Sequence, residues 1–398
     1  MTRSRTAIRA DRLFDGAASV ADPLVVVEDR RITAVDSGPR APVPPDAELV
    51  ELPGATLLPG LIDTHVHLCF DAGPDPVASL ADRDDDAVLA AMADAAAGQL
   101  AAGVTTVRDL GDRDYLSLRY RETATGPQPT IVAAGPPITS EGGHCHFLGG
   151  IARGVDGIRA AVDEHVQRGA DVIKVMASGG MMTAGTVVHQ AQFSPSELRF
   201  LVTEAHRHGL PVTAHAHALD AIVDAVAAGV DGIEHCAFRT ADGVHTPDDV
   251  VAAIVARRIA VGATMGIRPV EGIVAPAELL RHLPAMLAAI GRLVREGALV
   301  VAGTDAGIAP VKPHGVLPLG LAQLTELGMT PVDALRAGTH VAAQVVGLGD
   351  RKGRVAPGFD ADLLAVAGDP LADIADLLRP VAVLVGGRSV LPSLSPSV

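Results

Sequence analysis

The chain of 398 residues has no tryptophan, two tyrosines and seven phenylalanines, so aromatics are only 2% of it. Stacking platforms for bases or sugars are therefore not expected, and the core must be built from Ala, Val, Leu and Ile. There are three cysteines, Cys69, Cys145 and Cys236. They are too few for a disulfide framework, which makes a reducing compartment the default. Positive charge is also short. Against 47 Asp+Glu stand 32 Lys+Arg, a net charge of −15, and a general nucleic-acid binder needs a basic footprint. Arg3, Arg5 and Arg9 are not followed by the apolar stretch of a secretory signal. The uncharged run from Val175 to Ser196 is full of Gly, Thr, His and Gln and is no membrane span. These absences predict a soluble, cytoplasmic protein whose partner is a small molecule, with no nucleic acid and no membrane.

What is present is an apolar fraction of 48%, which argues against disorder. The length suits one large α/β barrel with additions, or two to three ordinary domains. The first ~58 residues read as short strands with tight turns, among them Leu24–Val27 and Arg31–Val35. The last 50 look similar, with Asp362–Val366, Val381–Val385 and a Gly386-Gly387 turn. A small β-sandwich module made from residues 1–58 and 349–398 is expected, enclosing a middle of 59–348.

In that middle, eight apolar strand-like runs alternate with helical stretches. They are Thr56–Leu58 leading to His65, Val104–Val107, Thr130–Ala133, Val172–Val175, Val212–His215, Gly232–His235, Ile259–Ala263 and Leu299–Ala302. Continuous apolar runs suit parallel strands buried on both faces. Ser194-Pro195-x-Glu197, Thr246-Pro247-x-Asp249 and Thr330-Pro331-x-Asp333 are helix starts. Gly103, Gly169, Gly209 and Gly229 are placed as left-handed caps. The expected fold is α/β, a (β/α)8 TIM barrel. A doubly wound open sheet is the alternative, but eight consecutive units exceed what most open sheets use.

Barrel enzymes keep their chemistry at the C-terminal ends of the strands. Here those ends carry His65-Val66-His67, Lys174, His215-Ala216-His217, His235 and Asp305. Residues i and i+2 of a strand share a face, so His65 and His67 can aim at one ion, and imidazole suits late first-row divalent metals. An isolated strand histidine is more often a hydrogen-bonded core residue, but His and Asp at four separate strand ends are a different matter. Lys174 stands in an apolar run, where burial favours the neutral amine. Such an amine can add CO2 and become a carboxylate-like carbamate. The alternative is a lysine snorkelling to a carboxylate at the barrel mouth.

Several segments together resemble the metal-dependent amidohydrolase superfamily. They are Pro59-Gly60-Leu61-Ile62-Asp63-Thr64-His65-Val66-His67, Ile173–Gly180, Ala214–His217, Gly232–His235, Gly303-Thr304-Asp305-Ala306-Gly307 and Gly353–Leu364. Within it the chain is similar to the imidazolonepropionase-related, prolidase-like (Xaa-Pro dipeptidase-like) branch with a carboxylated lysine. The resemblance implies two divalent ions, with Zn ahead of Mn, Ni or Co. His65, His67 and Asp305 would hold the first and His215 and His235 the second, with carboxylated Lys174 and a hydroxide bridging them. It implies hydrolysis of C–N bonds in dipeptides, N-acyl amino acids or cyclic amides, with Asp305 as proton shuttle. Glu141-Gly142-Gly143-His144 resembles a segment whose histidine faces the substrate carbonyl, a role carried to His144, although the following Cys145-His146 departs from the usual pattern. His217 is expected beside the ligands or facing substrate. Arg268, Lys312 and His314, in loops after the last two strands, are candidates for a substrate carboxylate; the competing interpretation is solvated loop charge. Rival assignments are a mononuclear cyclic-amide hydrolase or deaminase, and a metal-free structural relative. Barrels of this family often pair, so a homo-oligomer is an open expectation.

Overall fold

The computed structural model describes residues 5–390. Five strands come first: β1 (Arg5–Phe14), β2 (Ser19–Ala21), β3 (Pro23–Glu28), β4 (Arg31–Ser37) and β5 (Ala47–Pro59). Eight follow in the middle: β6 (Leu61–Val66), β7 (Val104–Asp109), β8 (Thr130–Ala133), β9 (Ile173–Met176), β10 (Val212–Ala218), β11 (Gly232–Arg239), β12 (Ala260–Thr264) and β13 (Leu299–Gly303). Three close the chain: β14 (Leu363–Ala367), β15 (Pro380–Val385) and β16 (Arg388–Ser389).

The middle strands are all parallel and lie in two arcs, β6-β7-β8 and β13-β12-β11-β10-β9. The arcs meet at both seams. The Ile138 amide donates to Lys174 O and the Met176 amide to Ile138 O. At the other seam, Asp305 N donates to His65 O and His67 N to Ala306 O. Helices fill the connections, giving an α/β fold of the TIM-barrel type. β6, β7, β9 and β10 are buried at every residue, as expected of strands covered on both faces.

Both ends of the chain join in one mixed sheet, ordered β16-β15-β14-β5-β1-β3-β4 with β2 beside β1. The 13-residue β5 runs through this sheet and joins the two terminal segments. β5 pairs with β1 along one edge and with β14 on the other. Strand alternation then serves two cores. Leu57, Leu363, Ala365 and Leu384 pack inside the terminal module, while Leu58, Leu364, Val366 and Val383 join the main core of the parallel strands.

Two expectations need correcting. Thr56–Leu58 belongs to β5, and the first parallel strand begins only at Leu61. The chain turns between them at Gly60, where a Cβ would lie 2.1 Å from Thr105 Oγ1. Thr246 does not cap the next helix, which starts at Asp248 without a side-chain cap; its oxygens accept from Arg292 instead. The Ser194 capping box and the Thr330 cap form as expected, and Gly103, Gly169, Gly209 and Gly229 all take positive φ.

Candidate metal centre

The first and last parallel strands are bolted together at their C-terminal ends. Asp63, fully buried, accepts from His65 N, from Thr304 N at 3.0 Å and from Thr304 Oγ1 at 2.6 Å. Asp305 follows at φ 61°, a left-handed conformation that is costly for a residue with a side chain and clusters at functional sites. Gly303 permits the approach, since a Cβ there would lie 2.7 Å from His65 Cβ. The Asp305 carboxylate stands 3.4 Å from His65 Nε2 and 3.2 Å from His67 Nε2. His65, His67 and Asp305 thus offer three donor atoms within 4.8 Å of one another.

A second group forms opposite. His215, His217 and His235 also bring their donor atoms within 4.8 Å. His235 sits at φ 66°, and its ring centroid is 4.7 Å from that of His215 and 5.3 Å from that of His65. Lys174 lines the same cavity at 1% exposure, its Nζ buried without any partner. An orphaned buried amine is costly, and burial pushes its pKa down to about 8.

Each expected ligand histidine is oriented through its other ring nitrogen, the usual arrangement at metal sites. His65 Nδ1 meets Glu234 Oε2 at 2.9 Å, and His67 Nδ1 meets Gly111 O at 2.9 Å. His215 Nε2 meets Gly179 O at 3.2 Å, and His235 Nδ1 meets Thr264 Oγ1 at 2.9 Å. A carbonyl can only accept, so in the neutral rings the lone pairs of His67 and His215 sit on Nε2 and Nδ1, respectively. His217 lacks such support: Nδ1 is buried with no partner, and the ring stacks on His235 at 4.5 Å. The geometry groups His217 with the ligands, but the missing orienting bond sets it apart from them.

Electrostatics favour donor forms. Burial, joined by the Lys174 charge, lowers His65 to about 4, and burial holds His215 and His235 well below the ordinary imidazole value. Neutral imidazole is the metal-binding form. Burial opposes the charge of Asp305, yet His65, His67 and Lys312 outweigh it and keep the carboxyl well below its usual range. His67 is the exception among the rings, raised by Asp305 against its own burial.

His144, 4% exposed, stands beside His215 with centroids 4.7 Å apart. Its Nδ1 is 3.1 Å from Thr183 Oγ1, and a Cβ on Gly180 would come within 2.3 Å of its Nε2. Cys145 lines the cavity, whereas Cys236 is buried outside it.

The loop cations divide between the two interpretations. Arg268 is exposed and outside the cavity lining. His314 Nε2 donates to Phe70 O, 2.8 Å away, and is also outside it. Lys312 lines the cavity, but its ammonium donates to Thr264 O at 2.8 Å and Thr304 O at 2.7 Å.

Sequence reasoning missed the support beneath the candidate metal ligands. Glu234 is 1% exposed and accepts from Arg108 Nη2 at 2.9 Å and Thr213 Oγ1 at 2.6 Å while holding His65. Arg108 also donates to Thr64 O. Gly262 leaves the room, since a Cβ would lie 1.9 Å from Glu234 Oε2. The available signal was a carboxylate inside an apolar strand run, the same oddity that marked Lys174.

Among the described residues, no helix is long and apolar enough to cross a membrane. The ochratoxinase of Aspergillus niger is 30% identical over 358 residues, covering 82% of this chain and 73% of its own length. Its crystal structure superposes with a TM-score of 0.83 over 98% of this chain and 96% of that one, at 27% identity. The imidazolonepropionase of Cereibacter sphaeroides is 28% identical, covering 94% and 95% of the two chains. A Xaa-Pro dipeptidase structure with bound methionine shares the fold, with a TM-score of 0.86 over 97% and 99% of the chains at 24% identity. The amidohydrolase family model matches residues 56–390, so the chain belongs to the amidohydrolase family of hydrolases.

Proposed function

We propose that this protein is a binuclear metal-dependent hydrolase of amide C–N bonds. The observation that carries it is the pair of three-donor groups, His65/His67/Asp305 and His215/His217/His235, lining one cavity with the orphaned Nζ of Lys174. That donor set fits two divalent ions of the Zn, Mn, Co or Ni kind. His65, His67 and Asp305 would hold one; His215 and His235 the other. Lys174 lies within electrostatic reach of His65, His215 and His235. As a neutral amine it attacks CO2, loses a proton and becomes a carbamate, which replaces an unpaired polar atom with an anionic ligand. When bound, the ions make water acidic enough to attack at neutral pH and polarise the scissile carbonyl.

The chain's own residues do the rest. Asp305 accepts the proton of the attacking water and returns it to the leaving nitrogen. His144 faces the substrate carbonyl, with Thr183 fixing its ring, and His217 stands across from it. The eight parallel strands are taken as one closed (β/α)8 barrel of residues 59–348, supported by the hydrogen bonds at both seams. Of the terminal segments 1–58 and 349–398, residues 5–58 and 349–390 form the companion β module, and the remainder lies outside the described residues.

Metal analysis of the purified protein tests this. About two ions per chain are expected, falling when Lys174 is changed to Ala. One ion per chain, indifferent to Lys174→Ala, marks a mononuclear cyclic-amide hydrolase or deaminase instead.

A further inference from the structure

The cavity above the two donor groups has a volume of about 160 Å³. The helix Ala277–Arg295 presents Leu279, Leu283 and Met286 to it, positions that share one helix face. Ile267 and Ile308 enter from the loops after β12 and β13, and Met176, Met181 and Met182 from the end of β9 and the loop beyond it. Four of the chain's eight methionines therefore line one pocket. Methionine is the side chain that adapts best to apolar groups of varied shape. The same segments expose apolar side chains to solvent: Met181 at 55%, Leu280 at 47% and Val274 at 79%. These exposed apolar side chains stand on the segments that line the cavity, where an apolar partner would enter.

What the pocket lacks matters equally. Lys312 is its only cationic lining residue apart from Lys174, and its ammonium is engaged by two backbone carbonyls. Arg268 is outside. Arg239, buried at the end of β11, is also absent from the lining; its Nη2 donates to Glu278 Oε1 at 3.1 Å, while its Nε is buried without a partner. Among the described lining residues, a carboxylate taken from water would find no free side-chain cation beyond the metal-binding groups; Arg239 acts on His217 only from behind the lining, and an unpaired buried charge is strongly disfavoured.

We propose that this pocket selects neutral, apolar amides, substrates whose groups on both sides of the scissile bond are hydrocarbon-like and carry no free carboxylate. The proposal rests on the amide-hydrolase function above and narrows it away from dipeptides and N-acyl amino acids. The polar groups that remain, His144, His217 and Thr264, orient one carbonyl rather than a charged end. The mouth helix supplies the apolar contact that distinguishes substrates.

The test compares N-acetylphenethylamine with N-acetyl-L-phenylalanine, which differ only in the carboxylate, using the metal-reconstituted protein. Hydrolysis is followed for kcat/KM and binding by calorimetry. The neutral amide is expected to be favoured at least about tenfold in both, and Leu283→Arg to shrink that preference. Equal values, or preference for the carboxylated amide, overturn the proposal. A carboxylate preference that disappears in Arg239→Met would assign that role to Arg239. If neither compound is hydrolysed but the neutral one binds tenfold tighter, the amide-hydrolase function fails while the pocket's selectivity stands. Failure of both to bind overturns the selectivity.

Discussion

Glu234 precedes His235 in β11, yet its carboxylate turns into the parallel-strand core and holds His65 of β6, with Oε2 2.9 Å from Nδ1. Its other oxygen takes Arg108 and Thr213. Glu234 thus sets the ring of a proposed ligand and neutralises a buried guanidinium at once. Glu234→Gln is expected to weaken metal binding by about 10–100-fold, the usual effect of losing such an orienting partner. It should also cost about 3–5 kcal/mol of stability, because Arg108 is left buried without its counter-charge. Equilibrium dialysis with metal analysis, and denaturant unfolding of the metal-free protein, measure the two effects. Unchanged metal affinity removes the positioning role.

Lys174 predicts a pH dependence. An ordinary lysine holds its proton to about 10.5, whereas Lys174 releases it near 8 because it is buried. Between those values the unfolded chain binds more protons than the folded one, so the metal-free protein gains stability as pH rises through that window. The gain is about 3 kcal/mol, and below pH 8 the full cost is present. Lys174→Met removes the cost. The variant is expected to be more stable than the parent at pH 7 when both are metal-free, with the gap closing towards pH 10.5, and to retain less metal. A stability gap that ignores pH would falsify the burial account of Lys174.

Much of this site was legible because doubly buried parallel strands read as apolar runs, and a histidine, lysine or aspartate at the end of such a run stands out. His65, His67, Lys174, His215, His235 and Asp305 all sit in one cavity lining for that reason. The support layer was not legible. Strict alternation sends Glu234 and His235 to opposite faces, and the left-handed turn at His235 that changes this leaves no trace in periodicity. The break at Gly60 was hidden for a similar reason: Thr56–Leu58 and Leu61–Val66 are both apolar strands, and only the crowding against Thr105 separates them. Arg268 and His314 were placed by loop membership alone, and loop paths depend on contacts such as His314 with Phe70 O that no local pattern encodes.

Gly180 offers a test of His144 that leaves the metal ligands untouched. A Cβ there would sit 2.3 Å from His144 Nε2, closer than atoms can approach, so Gly180→Ala must displace the imidazole. Displacements of about 1 Å at a reacting group cost up to about 100-fold in rate. Gly180→Ala is expected to lower kcat by about that factor with metal content unchanged. Loss of metal alongside activity would instead place His144 in the support of its neighbour His215.

Asp305 joins the two halves of the mechanism, because it stands 3.4 Å from His65 Nε2 and 3.2 Å from His67 Nε2 and is ionised across the neutral range. An ionised carboxylate can both contribute to a cation site and take a proton; an amide keeps one donor oxygen but cannot serve as the base. Asp305→Asn therefore separates the roles. With metal largely retained, kcat is expected to fall by about 10²–10⁴, the range for loss of a general acid–base group. Metal content measured on the same sample decides the interpretation: if activity and metal vanish together, Asp305 acts as a ligand only, and if both persist at parental levels, the proton transfer belongs to another residue, of which His144 is the nearest candidate by its place in the same cavity.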